Sequence, residues 1–287
     1  MSITIKEALR GASYALREAG VYAPRREAEL LLAARLGRPL VYLYAKDEEP
    51  LDRETAAGYH DWITRRCAGE PYAYLCGERE FMGLLFQVSP ACLIPRPETE
   101  HLVEAVAAEL AGVSAAEILE IGTGSGAIAV ALAVLLPSAR ITATDVSAPA
   151  LTVAAGNAAR HGVSEKVTFL PGDLYEPLAG NEVCFTAIVS NPPYIPSAEL
   201  AALSRDIVNF EPLTALDGGA DGLYYYRRLT GELPVLSAKP AVLAFEVGQG
   251  QAGEVSALCR QAGYQEVRLL KDLAGIERVV LARRTAI

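Results

Sequence analysis

Histidine is rare in this chain: three in 287 residues, His60, His101 and His161. Their scatter offers no spacing that would hold a metal ion. Cysteine is scarcely better represented. The five stand at Cys67, Cys76, Cys92, Cys184 and Cys259, an odd number without a C-x-x-C pair. That excludes a disulfide framework and a zinc ribbon, and reads as thiols kept in a reducing compartment. Positive charge is in deficit too: 26 Lys and Arg face 35 Asp and Glu, a formal net charge of -9, with a pI of about 5.0. An acidic chain repels phosphate backbones, so generic nucleic-acid binding is disfavoured. No long apolar run opens the chain, and charged residues appear from Lys6 onward. The expectation is a cytoplasmic protein with neither a secretory leader nor a membrane span. What is plentiful is apolar side chain, 51% of residues, which supplies a sizeable core and argues against disorder. The length suits two domains better than one.

The texture changes along the chain. Ile5, Leu9, Tyr14 and Leu16 precede a break at Gly20, and Ala28, Leu31, Leu32 and Leu36 recur at helical spacing before Gly37-Arg38-Pro39. A third helix is expected from about Asp52 to Ala68. No motif there carries chemistry, so residues 1–75 read as a small helical bundle whose task is to recognise a partner. Residues 83–94 read as two short strands around the Ser89-Pro90 turn. Pro95-Arg96-Pro97-Glu98-Thr99 then leads into a helix reaching Leu110, with Pro97 suited to a first turn and the acidic residues to its dipole. The boundaries that follow are a helical domain over 1–75, a linker with a short β-hairpin over 76–97, and an α/β domain over 98–287.

In that last domain apolar strands alternate with helices. The strands expected are Glu117–Ile121, Arg140–Thr144, Lys166–Leu170, Phe185–Ser190 and Ala241–Val247, the pattern of a doubly wound, mainly parallel sheet. Glu266–Leu270 and Glu277–Ala282, joined by a short polar loop, close it with an antiparallel hairpin. Such an ending suits a methyltransferase sheet better than a dinucleotide-binding one.

The segment from Ile118 to Ala129 is a strand, a glycine turn at Gly122, Gly124 and Gly126, and a helix start. Glycines bring backbone close to a ligand and permit positive φ, and open α/β sheets bind ligands at the carboxyl ends of their strands. Asp145 ends the next strand, 23 residues after Gly122, about where an acidic residue would take ribose hydroxyls. A plain tight turn and an NAD site remain competing readings of the glycines. Two features favour a sulfonium cofactor: the spacing is G-x-G-x-G rather than G-x-G-x-x-G, and Glu120 stands where a carboxylate would meet a cationic amino acid.

Asn191-Pro192-Pro193-Tyr194 follows the apolar strand Phe185–Ser190 directly. Asn-Pro and Pro-Pro are ordinary turn material, but a carboxyl strand end after a cofactor-type half is a functional place. An amide nitrogen is a poor nucleophile because its lone pair is delocalised. Asn191 Oδ1 would accept one of its N–H groups and the Pro192 carbonyl the other, held by the restricted Pro-Pro backbone. Tyr194 would offer a flat face. No side-chain base is required before transfer, so the rate would come from position and preset dipoles.

This tetrapeptide resembles that of the amino-methyltransferases, which include adenine-N6 DNA enzymes and protein glutamine-N5 enzymes. Over nearly its whole length the chain is similar to HemK/PrmC-type release-factor glutamine methyltransferases. The matching segments are 71–81 (PYAYLCGEREF), 93–100 (LIPRPETE), 121–128, 190–195 (SNPPYI), 211–216 (EPLTAL), 218–223 (GGADGL) and 272–279 (DLAGIERV). The resemblance implies a class I S-adenosylmethionine-dependent fold, Rossmann-like, with the N-terminal bundle as substrate-recognition domain. It implies transfer to side-chain N5 of the glutamine in the GGQ motif of class-1 peptide chain release factors, with S-adenosylhomocysteine as product and no metal. It places Gly122, Thr123, Gly124, Ser125 and Gly126 along the cofactor's methionine end, Asp145 at the ribose, and Leu174 beside the adenine, where an aromatic residue in some relatives offers better stacking. Glu120 and Asn191 complete the cofactor set; Asn191, Pro192, Pro193 and Tyr194 grip the substrate amide, with Asn191, Pro192 and Tyr194 catalytic. The chain is expected to act as a monomer without direct nucleic-acid or membrane contact.

Relatives that methylate a ribosomal protein usually continue the tetrapeptide with Val-Asp; Ile195-Pro196 here favours release factors, the ribosomal substrate being the alternative. An adenine-N6 enzyme is opposed by the acidic charge and the lack of a basic target-reading segment. A silent cofactor-binding module is opposed by the intact tetrapeptide. Tyr224-Tyr225-Tyr226 read as part core and part surface, and Arg227-Arg228 as a solvated face. Arg96 is balanced between a structural role and a place at the site's mouth. Glu246, at the end of its strand, is a candidate to line the site, although a sheet-end carboxylate more often bonds nearby backbone.

Overall fold

The computed structural model describes residues 3–180 and 183–285. Contacts divide them into two compact units: the described residues up to Glu78 together with Ser204–Phe210, and Arg79–Leu203 with the residues from Glu211 onward.

The first unit is helical. Helix α1 (Ile5–Glu18) opens on a reciprocal cap: Glu7 N donates to Thr4 Oγ1 at 3.3 Å and Thr4 N to Glu7 Oε2 at 3.0 Å. Its buried face is Ile5, Ala8, Ala12 and Leu16, while Tyr14 is exposed. Helix α2 (Pro24–Leu36) starts on a proline and stops at Gly37, whose φ of 61° ends the helix in the left-handed region. The short α3 (Leu40–Ala45) follows, then α4 (Arg53–Cys67), capped by Asp52 accepting from Thr55 N at 2.8 Å, and the short α5 (Tyr72–Cys76). Leu16, Leu31, Leu32, Leu43 and Ile63 form the core. Buried Tyr59 donates its hydroxyl proton to Ala28 O at 2.9 Å, so this large ring enters the core with its polar end satisfied.

In the second unit β1 (Glu78–Phe81) and β2 (Leu84–Gln87) form a hairpin. It turns at Met82 and Gly83, both at positive φ (53° and 71°), as two-residue hairpin turns require. This corrects the expected turn at Ser89-Pro90. Pro90 has no N–H for a ladder, and the segment that follows is held otherwise: Ile94 N donates to Glu211 Oε2 at 3.1 Å. Residues 97–99 make one 3-10 turn before α6 (Glu100–Glu109). The main sheet then begins with β3 (Glu117–Ile121), α7 (Ala127–Leu135), β4 (Arg140–Asp145), α8 (Ala148–Arg160), β5 (Val167–Pro171) and β6 (Ala187–Ser190). Helix α9 (Arg205–Phe210) belongs to the first unit, after which come α10 (Tyr224–Gly231), β7 (Val242–Glu246), α11 (Ala252–Gln261), β8 (Glu266–Lys271) and β9 (Glu277–Arg283).

The strand order is β5-β4-β3-β6-β7-β9-β8, parallel from β5 to β7 and antiparallel at β9 and β8. One face packs on α6 and α7 through Leu102, Val106, Val130 and Leu132; the other packs on α10 and α11 through Leu229, Val255 and Cys259. All of β6 and β7 is buried, which accounts for their unbroken apolar runs. The chain reverses direction across the sheet between β3 and β6, which opens a crevice at their carboxyl ends.

Candidate active site

That crevice is a cavity whose wall includes Glu120, Gly122 to Ser125, Asp145, Leu174 and Asn191 to Pro193. The glycine turn comes off β3 with φ of 75° at Gly122, 55° at Gly124 and 78° at Gly126. Gly122 N and Thr123 N both donate to Thr144 O, at 2.9 and 3.1 Å, which ties the turn to β4. A Cβ built on Gly122 would meet nothing within 4 Å, so that backbone is left open to a ligand. Gly126 lies behind the wall. A Cβ there would stand 2.9 Å from Ala154 Cβ, so its small size serves the packing of α7 on α8.

Asp145 sits at the end of β4 with its carboxylate spread between two backbone donors, Gly124 N to Oδ2 and Ser147 N to Oδ1, each at 2.8 Å. Each oxygen retains acceptor capacity toward the cavity. Glu120 is almost fully buried. Thr123 Oγ1 donates to its Oε2 at 2.7 Å, while Oε1 has no partner. Burial pushes its carboxyl up to about 8; the Thr123 and Ala129 bonds pull down, and the charge of Asp145 adds to the rise. An arriving ammonium group would supply both the missing partner and the charge that ionises it. Leu174 takes a positive φ of 47°, and its carbonyl accepts from Thr144 Oγ1 at 3.1 Å. An open glycine turn, an orphaned buried carboxyl oxygen and a carboxylate at the strand end fit an amino acid joined to a nucleoside.

Across the cavity, β6 delivers Asn191 to Pro193. Asn191 Nδ2 donates to Thr99 Oγ1 at 3.1 Å, which turns Oδ1 the other way. Tyr194 stands beside the wall rather than in it. Its carbonyl accepts from Gln251 Nε2 at 2.8 Å, and its ring faces Gly248, where a Cβ would come within 3.0 Å of Cδ2. Burial, with the charge of Glu246, pushes its hydroxyl up to about 12. Behind the tetrapeptide, Gly222 allows backbone-to-backbone contact: a Cβ there would stand 2.3 Å from Tyr194 O.

Five further residues belong to this site. Arg96 is on the wall and pairs with Glu211. Glu211 also takes Ile94 N, and so pins the 88–96 segment that forms part of the wall. Thr99 is a buried neighbour of Asn191. Glu246, at the end of β7, is buried with its carboxyl against the Thr99 and Asn191 side chains, which answers the question its sequence position left open. Of the three tyrosines, Tyr226 is fully buried and donates to Glu246 O at 2.6 Å, Tyr224 is exposed, and Tyr225 lines the cavity with Leu174 and Asp173. Among the described residues no cluster of His, Cys, Asp and Glu could hold a metal ion, and no helix is long and apolar enough to cross a membrane.

The chain matches two family models, the PrmC N-terminal domain over residues 7–77 and the methyltransferase small domain over residues 97–209. The release factor glutamine methyltransferase of Moorella thermoacetica is 46% identical over 285 residues, covering 98% of this chain and 99% of the relative. That of Bordetella pertussis is 46% identical over 256 residues, covering 89% and 93%. Among solved structures, the catalytic domain of hMettl16 in complex with a MAT2A 3'UTR hairpin superposes with a TM-score of 0.58 at 16% identity, covering 79% of this chain and 83% of that one. This last likeness concerns the fold, that of a class I S-adenosylmethionine-dependent methyltransferase. With such identity carried from end to end, the chain belongs to the release factor glutamine methyltransferase family.

Proposed function

We propose that the protein binds S-adenosylmethionine in the β3–β6 crevice and methylates the side-chain N5 of the GGQ glutamine of a class-1 peptide chain release factor in the cytoplasm. The observation that carries this reading is the placement of Asn191 to Pro193 on the same cavity wall as the open glycine turn and Asp145. The cofactor supplies an electrophilic methyl carbon. Glu120 and the turn from Gly122 to Ser125 would hold its amino-acid end, Asp145 the ribose, and Leu174 with Tyr225 the adenine.

The chain's own chemistry is positional. Asn191 Oδ1 and the Pro192 carbonyl accept the two N–H groups of the glutamine amide, and Tyr194 offers a flat face beside them. That grip fixes the nitrogen and aims its lone pair at the methyl carbon. Positive charge that develops on nitrogen during transfer strengthens both bonds, so the two acceptors stabilise the transition state more than the ground state. The methyl–sulfur bond would break as the C–N bond forms, and the nitrogen would then lose its extra proton to water. Incubation with radiolabelled cofactor and a purified release factor tests the reading: label should enter the GGQ glutamine. Label in a ribosomal protein with none in the release factor would contradict the substrate.

A further inference from the structure

Asn191 serves this chemistry only one way round. With Oδ1 outward it accepts a substrate N–H; with Nδ2 outward it would oppose donor to donor. Resting on the reading that Asn191 Oδ1 grips the substrate amide, we propose that Glu246 and Thr99 hold Asn191 in the productive orientation, which makes Glu246 a positioning residue for methyl transfer.

The sheet brings these groups together. Ser190 pairs with Phe245 in the parallel β6–β7 register, so Asn191 and Glu246 are the next residues on adjacent strands. Thr99 joins them from the turn ahead of α6, and both Thr99 and Glu246 are buried. Asn191 Nδ2 donates to Thr99 Oγ1, and both side chains lie against the Glu246 carboxyl, where they favour its ionised form. An ionised carboxylate accepts and cannot donate. It therefore claims the Thr99 proton, leaves the Thr99 oxygen to accept, and takes N–H rather than oxygen from Asn191. A flipped amide would set Oδ1 against two acceptors and forfeit the Thr99 bond. Glu246 Oε2 has no hydrogen-bond partner of its own, so this buried oxygen is left open to accept. A carboxylate buried in this way is a poor choice for stability alone, where an uncharged acceptor would avoid its desolvation.

The arrangement carries a pH signature. Burial pushes the Glu246 carboxyl up to about 7 against the Thr99 and Asn191 hydrogen bonds and the charge of Arg278 on β9, while Glu98 ahead of α6 pushes the same way as burial. The other ionisable groups facing it, Tyr194 after β6 and Tyr226 on α10, have hydroxyls raised by burial and are neutral in this range. Once protonated, Glu246 can donate, and the flipped Asn191 becomes tolerable. Turnover should then fall on the acid side with a midpoint near 7, without an equal change in substrate affinity.

The test uses full-length protein, a release factor and labelled cofactor, with single-turnover rates measured across the neutral range. Wild-type labelling of the release factor is the control on the functional reading. Glu246→Gln should lose the acid limb and turn over about tenfold or more slowly at alkaline pH, as expected when a hydrogen bond to a charged group is weakened. The affinity for S-adenosylhomocysteine and the KM for the release factor should stay within about twofold. Thr99→Val should show a similar loss, and Thr99→Ser should recover most of it. An independent readout needs no substrate: in 15N-labelled wild type the Asn191 side-chain amide signals should titrate near neutrality, and in Glu246→Gln they should not. Wild-type kcat with an unchanged acid limb in Glu246→Gln, or Asn191 signals that do not move through neutrality in wild type, would overturn the inference.

Discussion

Replacing Asn191 with alanine removes the acceptor while leaving the loop around it largely intact, because Pro192 and Pro193 hold the backbone and Tyr194 O is held by Gln251. The structure sets the size of the effect. Asn191 Nδ2 is tied to Thr99 at 3.1 Å, so Oδ1 is a dipole fixed before substrate arrives. Deleting one such dipole costs roughly 10²–10³ in kcat, or about 2.7–4 kcal/mol. Substrate binding should change far less, since one hydrogen bond is a small share of a protein–protein interface. Asn191→Asp sharpens the test. Aspartate keeps an acceptor oxygen but loses the donor that Thr99 accepts, and it brings a second carboxyl against Glu246. The two cannot both ionise cheaply, so Asp should retain partial activity over a narrow pH range while Ala is nearly inactive. Single-turnover rates at saturating cofactor, with cofactor affinity measured separately by calorimetry, read both variants. A near-wild-type rate for Asn191→Ala on a release factor would refute the positional mechanism.

Asp145→Ala should weaken S-adenosylhomocysteine binding about tenfold or more by calorimetric titration, since bonds to a charged group are worth roughly 1.5–3 kcal/mol; unchanged affinity in a folded variant would remove Asp145 from the site. Tyr225→Ala should lower that affinity as well, and Leu174→Phe should not raise it if Tyr225 already covers the adenine. Glu120 carries a raised carboxyl, so the folded state favours its neutral form; the stability this brings is full below the ordinary glutamate value near 4.5 and fades as pH rises through about 8. Glu120→Gln should therefore raise the melting temperature of the ligand-free protein at pH 8 more than at pH 5, and an equal shift at both would contradict that. Deleting residues 1–75 should spare cofactor binding and sharply reduce methylation of a whole release factor, with less loss on a short GGQ peptide; because α9 packs within the first unit, a folding control by calorimetry accompanies it.

The centre of the sheet was legible in the sequence because β3, β6 and β7 are buried on both faces and read as apolar runs. Glu117–Ile121 was delimited to the residue, and the terminal hairpin was recognised from its polar loop. The first hairpin was misplaced because a Ser-Pro pair looks like a turn, whereas the real turn needs positive φ at Met82, a residue type that gives no such signal. Helices α3, α5 and α9 have six or fewer residues, too short for a helical period to show. At the site, local motifs exposed Gly122, Asp145 and Asn191. Thr99 and Asn191 are 92 residues apart in sequence and meet only through the fold. The role of Glu246 depends on strand order, and that of Tyr225 on which side of α10 faces the cavity, neither of which one sequence displays.

The central claim is that this site methylates a glutamine amide by gripping its two N–H groups. Mass spectrometry of a release factor after incubation with full-length protein and S-adenosylmethionine tests it most directly. The account predicts a single added methyl on the GGQ glutamine side-chain nitrogen, lost in Asn191→Ala. A methyl on another residue of the release factor, or the same modification formed undiminished by Asn191→Ala, would contradict it.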